Sequence, residues 1–350
     1  MPVRTLVVLL ALGPLAGCYL LETTRGQFEL NERRVPIATL LAEPGTPAPL
    51  KARLELATRL RDFASRELGL PDNSSYRAYA DVGRPYVVWN VVAAPEFSVD
   101  PKTWCFPVAG CVAYRGYFAE ARARRFALGL ESRGYDVAVG GVPAYSTLGH
   151  FADPVLNTML GWDESELAAL VFHELGHQLL YVKNDTAFNE AFATVVENEG
   201  VRRWLAATGN GSALREFQER AARYAEVAAL VAEARARLKL LYARRLPPAQ
   251  MRALKAEELA RLKADYAARR AQLGPGYEWL FGANLNNALL ASVATYQDCV
   301  PGLEARLEQA GHDLPQFYAA ARALAKLSAS DRRAAVCVQA SGGGPTATAT

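Results

Sequence analysis

The stretch Leu170 to Tyr181, LVFHELGHQLLY, decides how the rest of the chain is read. Its centre is His173-Glu174-Leu175-Gly176-His177. On a helix, residues four apart share one face at ~6 Å, so both imidazoles can reach a single metal ion. Glu174 falls beside them, where the carboxylate of an HExxH pattern acts as general base toward a metal-bound water whose pKa is lowered to about 7. An amphipathic core helix with two incidental histidines would read alike. Against that, the chain has only four histidines, two of them in this turn. The neighbours Ala168, Leu170, Val171, Leu175, Leu179 and Leu180 are also apolar enough to bury the helix, and a buried histidine pair facing a carboxylate calls for a cation.

Asn189 to Glu197, NEAFATVVE, offers the third ligand. A short turn at Lys183-Asn184-Asp185 lets a second helix, from about Thr186 to Ala207, pack antiparallel on the first and project Glu190 toward the imidazoles. Ala191 and Ala193 are small enough for close approach. Two His and one Glu leave the fourth position of a tetrahedral Zn2+ open, which is the catalytic arrangement rather than the closed structural one. Glu197 is the competing ligand, but it lies roughly 10 Å further along the axis, so Glu190 is favoured.

HELGHQ followed by FNEAFATVVE resembles the gluzincin metallopeptidases, and NEAFA resembles the third-ligand motif of the aminopeptidase N family. The closer resemblance is to a bacterial family of predicted aminopeptidases, short lipoproteins pairing a HEL(A/G)HQ helix with a DTxFNExFATxVE helix. It extends to GQxxL at Gly26 to Leu30, FPVxGC at Phe106 to Cys111, YRGYF at Tyr114 to Phe118 and YSTLG at Tyr145 to Gly149, and so spans most of the chain. The resemblance implies that Tyr145, Ser146, Thr147 and Leu148 form an edge strand receiving the substrate backbone as an added strand. An ordinary strand is the other reading. His150, near its end, is left out of the metal set.

Met1 to Cys18 reads as an export signal: Arg4 is the positive start, Leu6 to Leu12 the apolar run, and Leu15-Ala16-Gly17-Cys18 is similar to a bacterial lipobox. Acylation at Cys18 would anchor the chain to a membrane, whereas a plain secretory signal would release it. Tyr19 follows where the lipoprotein rule places Asp for inner-membrane retention, so the resemblance points to the outer membrane, facing the periplasm. Cys105, Cys111, Cys299 and Cys337 remain, an even number in a compartment that permits disulfides. Three pairings are open; the local loop Cys105 to Cys111 with Cys299 to Cys337 is preferred. A zinc ribbon would need close C-x-x-C pairs, which are missing.

After residue 17 about 330 residues remain, enough for one large or two intimately packed domains. A net charge of +3 gives no footprint for nucleic acid. Pro49 to Gly69 has the spacing of an amphipathic helix, Tyr79 to Val92 the character of a strand, Gly116 to Arg133 of a helix ended by Gly134, and Asp136 to Gly140 and Val142 to Leu148 of further strands. Residues 18–211 are thus expected to form an α+β unit carrying the metal helix. Residues 212–273, rich in Ala, Arg, Leu, Glu and Lys with Pro247-Pro248 in the middle, should form an inserted charged helical hairpin. Residues 274–340 would complete the core with helices, and 341–350 is a low-complexity tail expected to be disordered. The fold class is α+β, mostly helical, with a gluzincin-like core.

A peptidase site also needs a donor for the oxyanion, and Tyr296, in the Ala294-Thr295-Tyr296 segment, is the candidate, with a structural tyrosine as the alternative. The function expected is a zinc-dependent peptidase of the cell envelope acting on peptides. The name aminopeptidase comes from the resemblance alone, since no G-x-M-E-N motif for a substrate's ammonium is found. From a different class, an envelope interaction lipoprotein with a non-catalytic metal site would share the lipid anchor and the charged hairpin. Glu174 separates the two readings, because a structural zinc has no use for a base.

Overall fold

The computed structural model describes residues 13–106 and 109–337, with side chains from residue 22 onward. Residues 1–12 of the expected export signal, the side chain of Cys18, Pro107-Val108 and the tail from Ser341 lie outside the described residues. The chain is α+β and mostly helical, as the sequence predicts.

Helix α1 (Gly13–Glu32) carries the GQxxL stretch. A Cβ at Gly26 would lie 2.2 Å from the Phe118 ring, so the helix rests directly on that ring. Glu22 and Glu29 tie it to Arg122 at 3.0 Å and Arg84 at 2.9 Å. Next come β1 (Val35–Pro36), α2 (Ile37–Ala42) and α3 (Ala48–Arg66). The last is the helix expected at Pro49 to Gly69, with Leu54, Leu56 and Leu60 buried. Arg61 on it is fully buried, yet its guanidinium donates to the carbonyls of Ser75, Pro71 and Asn73, which satisfies the charge inside the core.

The single strand expected over Tyr79 to Val92 is two. Strand β2 (Ala78–Ala80) pairs antiparallel with β1, whereas β3 (Val88–Pro95) belongs to another sheet. Between them Gly83 takes a left-handed φ of 64° and Pro85 has no N–H to give a ladder, so the strand cannot run through. Strands β4 (Trp104–Phe106) and β5 (Gly110–Val112) form a hairpin closed by a Cys105–Cys111 disulfide. The segment expected as helix from Gly116 begins instead as strand β6 (Arg115–Tyr117), and helix α4 (Glu120–Glu131) follows, ended near Gly134 with φ 80°.

Strand β7 (Tyr135–Val142) pairs with β3 over its whole length, giving the sheet order β6-β3-β7. Trp89, Val91 and Ala93 pack there against Ala123, Ala127 and Leu130 of α4. The strand expected over Val142 to Leu148 is absent. Pairing stops at Val142, since Pro143 has no donor, and a loop follows with Leu148 at φ 56° and Gly149 at φ 81°. Strand β8 (Val155–Leu156) then joins β2 in parallel.

Helices α5 (Glu164–Leu179) and α6 (Thr186–Ala207) pack on each other and on α3. Their core takes in Val171, Phe172 and Phe192. Helices α7 (Gly211–Tyr242) and α8 (Pro248–Leu273) form the expected hairpin, turning at Pro247-Pro248. Its two helices share an apolar seam, Val227, Leu230, Leu238 and Leu262, continued by α9 (Glu278–Phe281) and α10 (Asn287–Gln297). Helices α11 (Val300–Gln309), α12 (Leu314–Ala325) and α13 (Ala329–Val336) close the chain against α6, with a Cys299–Cys337 disulfide. Both disulfides are those preferred from the sequence. No helix among the described residues is long and apolar enough to cross a membrane.

Candidate metal centre and its cleft

Helix α5 starts on a capping box: Asp163 Oδ1 accepts from the Glu166 N–H at 2.8 Å, and Glu166 Oε2 accepts from the Asp163 N–H at 2.9 Å. Near its end Gln178, the last residue of HELGHQ, accepts from Asn73 Nδ2 at 2.7 Å and donates to Ser75 Oγ at 3.3 Å. A Cβ at Gly176 would lie 3.3 Å from Ala193 Cα, so these two small residues set the close crossing of α5 and α6.

The corner between the helices is fastened from three sides. Asn189 accepts from the Val182 N–H at 2.7 Å and donates to the Val182 carbonyl at 2.8 Å. Asp185 caps α6 and pairs with buried Arg332 of α13 at 2.7 Å. Asn184 accepts from the Cys111 N–H at 2.8 Å, and the Tyr181 hydroxyl donates to the Ala109 carbonyl at 2.9 Å, which docks the disulfide hairpin on the corner. Glu190, one residue beyond the Asn189 clamp, is thereby aimed at the imidazoles.

Glu190 Oε2 lies 3.3 Å from His173 Nε2 and 3.5 Å from His177 Nε2. One donor atom from each of His173, His177 and Glu190 lies within 4.8 Å of the other two, a group that could hold a metal ion. Tetrahedral ligands about 2.05 Å from a zinc ion stand about 3.3 Å apart, close to the spacing of Glu190 from each imidazole. Glu197, the rival ligand, sits on the other nitrogen: its Oε2 is 2.9 Å from His173 Nδ1, where it orients the ring. Burial opposes charge on His173, yet Glu190 and Glu197 together hold its imidazolium well above the usual range. Burial likewise opposes charge on Glu190, but the two imidazoles hold its carboxyl down at about 2. The three side chains together attract positive charge. The buried Nδ1 of His177 has no hydrogen-bond partner among the described residues.

The group opens into a cleft of about 930 Å³, lined also by Glu174, Tyr114, Tyr145, Ser146, Thr147, Tyr181 and Tyr296. Tyr296, on α10, lines this cleft. The charge of Glu190, then burial, pushes its hydroxyl well above the ordinary range, so it stays a proton donor. Tyr114, between β5 and β6, also lines the cleft and was not among the residues expected there. Burial, then Glu190, pushes its hydroxyl up in the same way. Its only signal was its place in YRGYF, directly after the cysteine loop.

Tyr145, Ser146 and Thr147 reach the cleft, but on a loop and not on the expected strand. The Thr147 N–H and Oγ both donate to Asp153, at 3.0 and 2.8 Å, so that main-chain donor is already committed within the loop. His150 is exposed at the cleft and outside the metal group.

Fold and site together define an α+β protein whose HExxH helix and following helix assemble a His-His-Glu group. The chain belongs to the family described as "Putative aminopeptidase", whose model matches residues 18–336. No curated protein and no solved structure matches the chain significantly.

Proposed function

We propose that this protein is a zinc-dependent peptidase of gluzincin type, anchored through Cys18 at the outer membrane and working toward the periplasm. The observation that carries the reading is the convergence of His173, His177 and Glu190 in one cleft with Glu174. A zinc ion held there would supply Lewis-acid activation of water and of the scissile carbonyl. Glu174 would take the proton of the attacking water and pass it to the leaving amine. Tyr296, with Tyr114 from the link between β5 and β6, keeps a hydroxyl proton to donate as negative charge develops on the carbonyl oxygen. Glu197 would hold His173 in the tautomer that turns Nε2 toward the ion. Aminopeptidase activity is what the family's description suggests.

Metal analysis of the purified protein, together with hydrolysis of a broad peptide library, tests this. Glu174→Gln should keep zinc and lose hydrolysis, while His173→Ala and Glu190→Ala should lose both. Glu197→Ala should bind zinc about 10- to 100-fold more weakly in competition with a chelator. Zinc retained by Glu190→Ala and lost by Glu197→Ala would exchange the roles of the two carboxylates. An intact library with zinc bound would leave the binding-protein reading. Cys18→Ala should move the protein from the membrane to the soluble fraction.

A further inference from the structure

The cleft carries information about what enters it. Its apolar lining includes Phe28 on α1, Phe118 after β6, Val142 ending β7, Phe151 in the loop beyond, and Leu170 on α5. Phe28 is 61% exposed and Phe151 52%, and both are among the most exposed large apolar side chains of the molecule. Two such rings turned into one cavity offer a surface that an apolar occupant would remove from water.

Outside the metal group, the charged side chains lining the cleft are acidic. The chain has 39 Lys and Arg, yet none is among the described residues lining the cleft, whereas four carboxylates are, those of Glu166, Glu174, Glu190 and Glu197. An acidic side chain or a terminal carboxylate placed there would lose hydration, meet like charges and find no arginine or lysine to pair with. Apart from the base, the carboxylates are already engaged. Glu166 accepts from the Asp163 N–H and faces Arg220 at 3.9 Å, Glu197 holds His173, and Glu190 belongs to the metal group. A substrate's terminal ammonium therefore meets no carboxylate reserved for it among the described residues.

We infer that the cleft selects peptide segments with large apolar or aromatic side chains beside the scissile bond, rejects acidic ones, and does not require a free amino terminus. The inference rests on the peptidase reading of the site, which it deepens by naming the substrate class. Selection works by burial of side chains against Phe28 and Phe151, with side-chain apolarity and not terminal charge as the quantity read. A wall supplied by α1 also explains Gly26: the helix lies close enough on Phe118 for Phe28 to reach the cleft.

Two readouts keep this inference separate from the peptidase reading. In the first, the full-length zinc-loaded Glu174→Gln variant is titrated with acetyl-Ala-Ala-Phe-Leu-Ala-Ala-amide, and with the same peptide carrying Asp-Glu in place of Phe-Leu. The apolar peptide should bind at least about 10-fold more tightly, the worth of burying one such side chain. In the second, wild-type hydrolysis is followed on the same pair and on the apolar peptide with a free amino terminus. The apolar peptide should exceed the acidic one by about 100-fold or more in kcat/KM, and acetylation should change its rate by less than about 3-fold. Phe28→Ala and Phe151→Ala should each shrink the apolar preference, mainly through KM. Selective binding without hydrolysis would sink the peptidase reading and keep the cleft's preference. Hydrolysis with no apolar preference, or only with a free amino terminus, would overturn the inference and keep the peptidase. Unchanged peptide preference in Phe28→Ala and Phe151→Ala, with loss of binding to phosphatidylglycerol vesicles, would assign the rings to a membrane surface and overturn it too.

Discussion

Asp153 shows how the cleft loop is held and what that costs. It is 2% exposed, and burial pushes its carboxyl up to about 6 although Thr147 donates two hydrogen bonds to it. Between its ordinary value and about 6 the folded chain binds a proton that the unfolded chain does not, so this residue's contribution to stability falls as pH rises through that window and is flat above it. Relative to Asp153→Asn, the wild type should lose up to ~3 kcal/mol between about pH 4 and pH 7 in urea unfolding. A difference independent of pH would show that the carboxylate is ionised throughout. At this same scale His173, Glu174, His177 and Glu190 were legible, since spacing along one helix and the start of the next determines which face each side chain occupies. Tyr114 and the placement of Glu197 on Nδ1 were not, because which ring nitrogen a carboxylate reaches depends on how two helices cross.

The crossing of α5 and α6 is the element on which the site depends, and Gly176 against Ala193 sets its distance. Gly176→Val adds a branched side chain where even a Cβ would stand 3.3 Å from backbone. The helices must then separate, and we expect a loss of ~1–3 kcal/mol in urea unfolding together with reduced zinc stoichiometry. Unaltered zinc content would mean that the crossing tolerates the added bulk. The second helix falls where the sequence places it, from Thr186 to Ala207, and in the structure both helices start on a capping residue, Asp163 and Asp185. The short strands fared worse. Tyr79 to Val92 reads as one apolar run, but Gly83 and Pro85 divide it between two sheets, and Tyr145 to Leu148 lost its ladder to Pro143 and to Asp153. Strands of two or three residues gain their hydrogen bonds from partners distant in sequence, so local pattern does not specify them.

Over the whole molecule the two disulfides should act differently. Cys299–Cys337 spans 38 residues and joins α13 to the start of α11, so replacing both cysteines with Ser should cost ~2–4 kcal/mol of global stability, read by urea unfolding. Cys105–Cys111 spans only six and holds a hairpin that buttresses the α5–α6 corner through Asn184 and Tyr181. Its replacement should lower peptide hydrolysis more than it lowers the unfolding midpoint. Equal effects of the two pairs on both measurements would remove this distinction.

What the sequence by itself determined is what short-range physics carries: the HExxH turn, the antiparallel second helix with Glu190, the Pro247-Pro248 hairpin, and a mostly helical α+β class. In each the deciding signal lies within a few turns of one helix or at a proline that admits few backbone conformations. Only the tertiary structure decided what surrounds the metal group. It brought Tyr296 from α10, Tyr114 from beyond the disulfide hairpin and Phe28 from α1 to one cleft, and it turned Glu197 to the back of His173. Those placements follow from how separate elements pack around a shared core, and no periodicity within any one of them encodes the distance to the others.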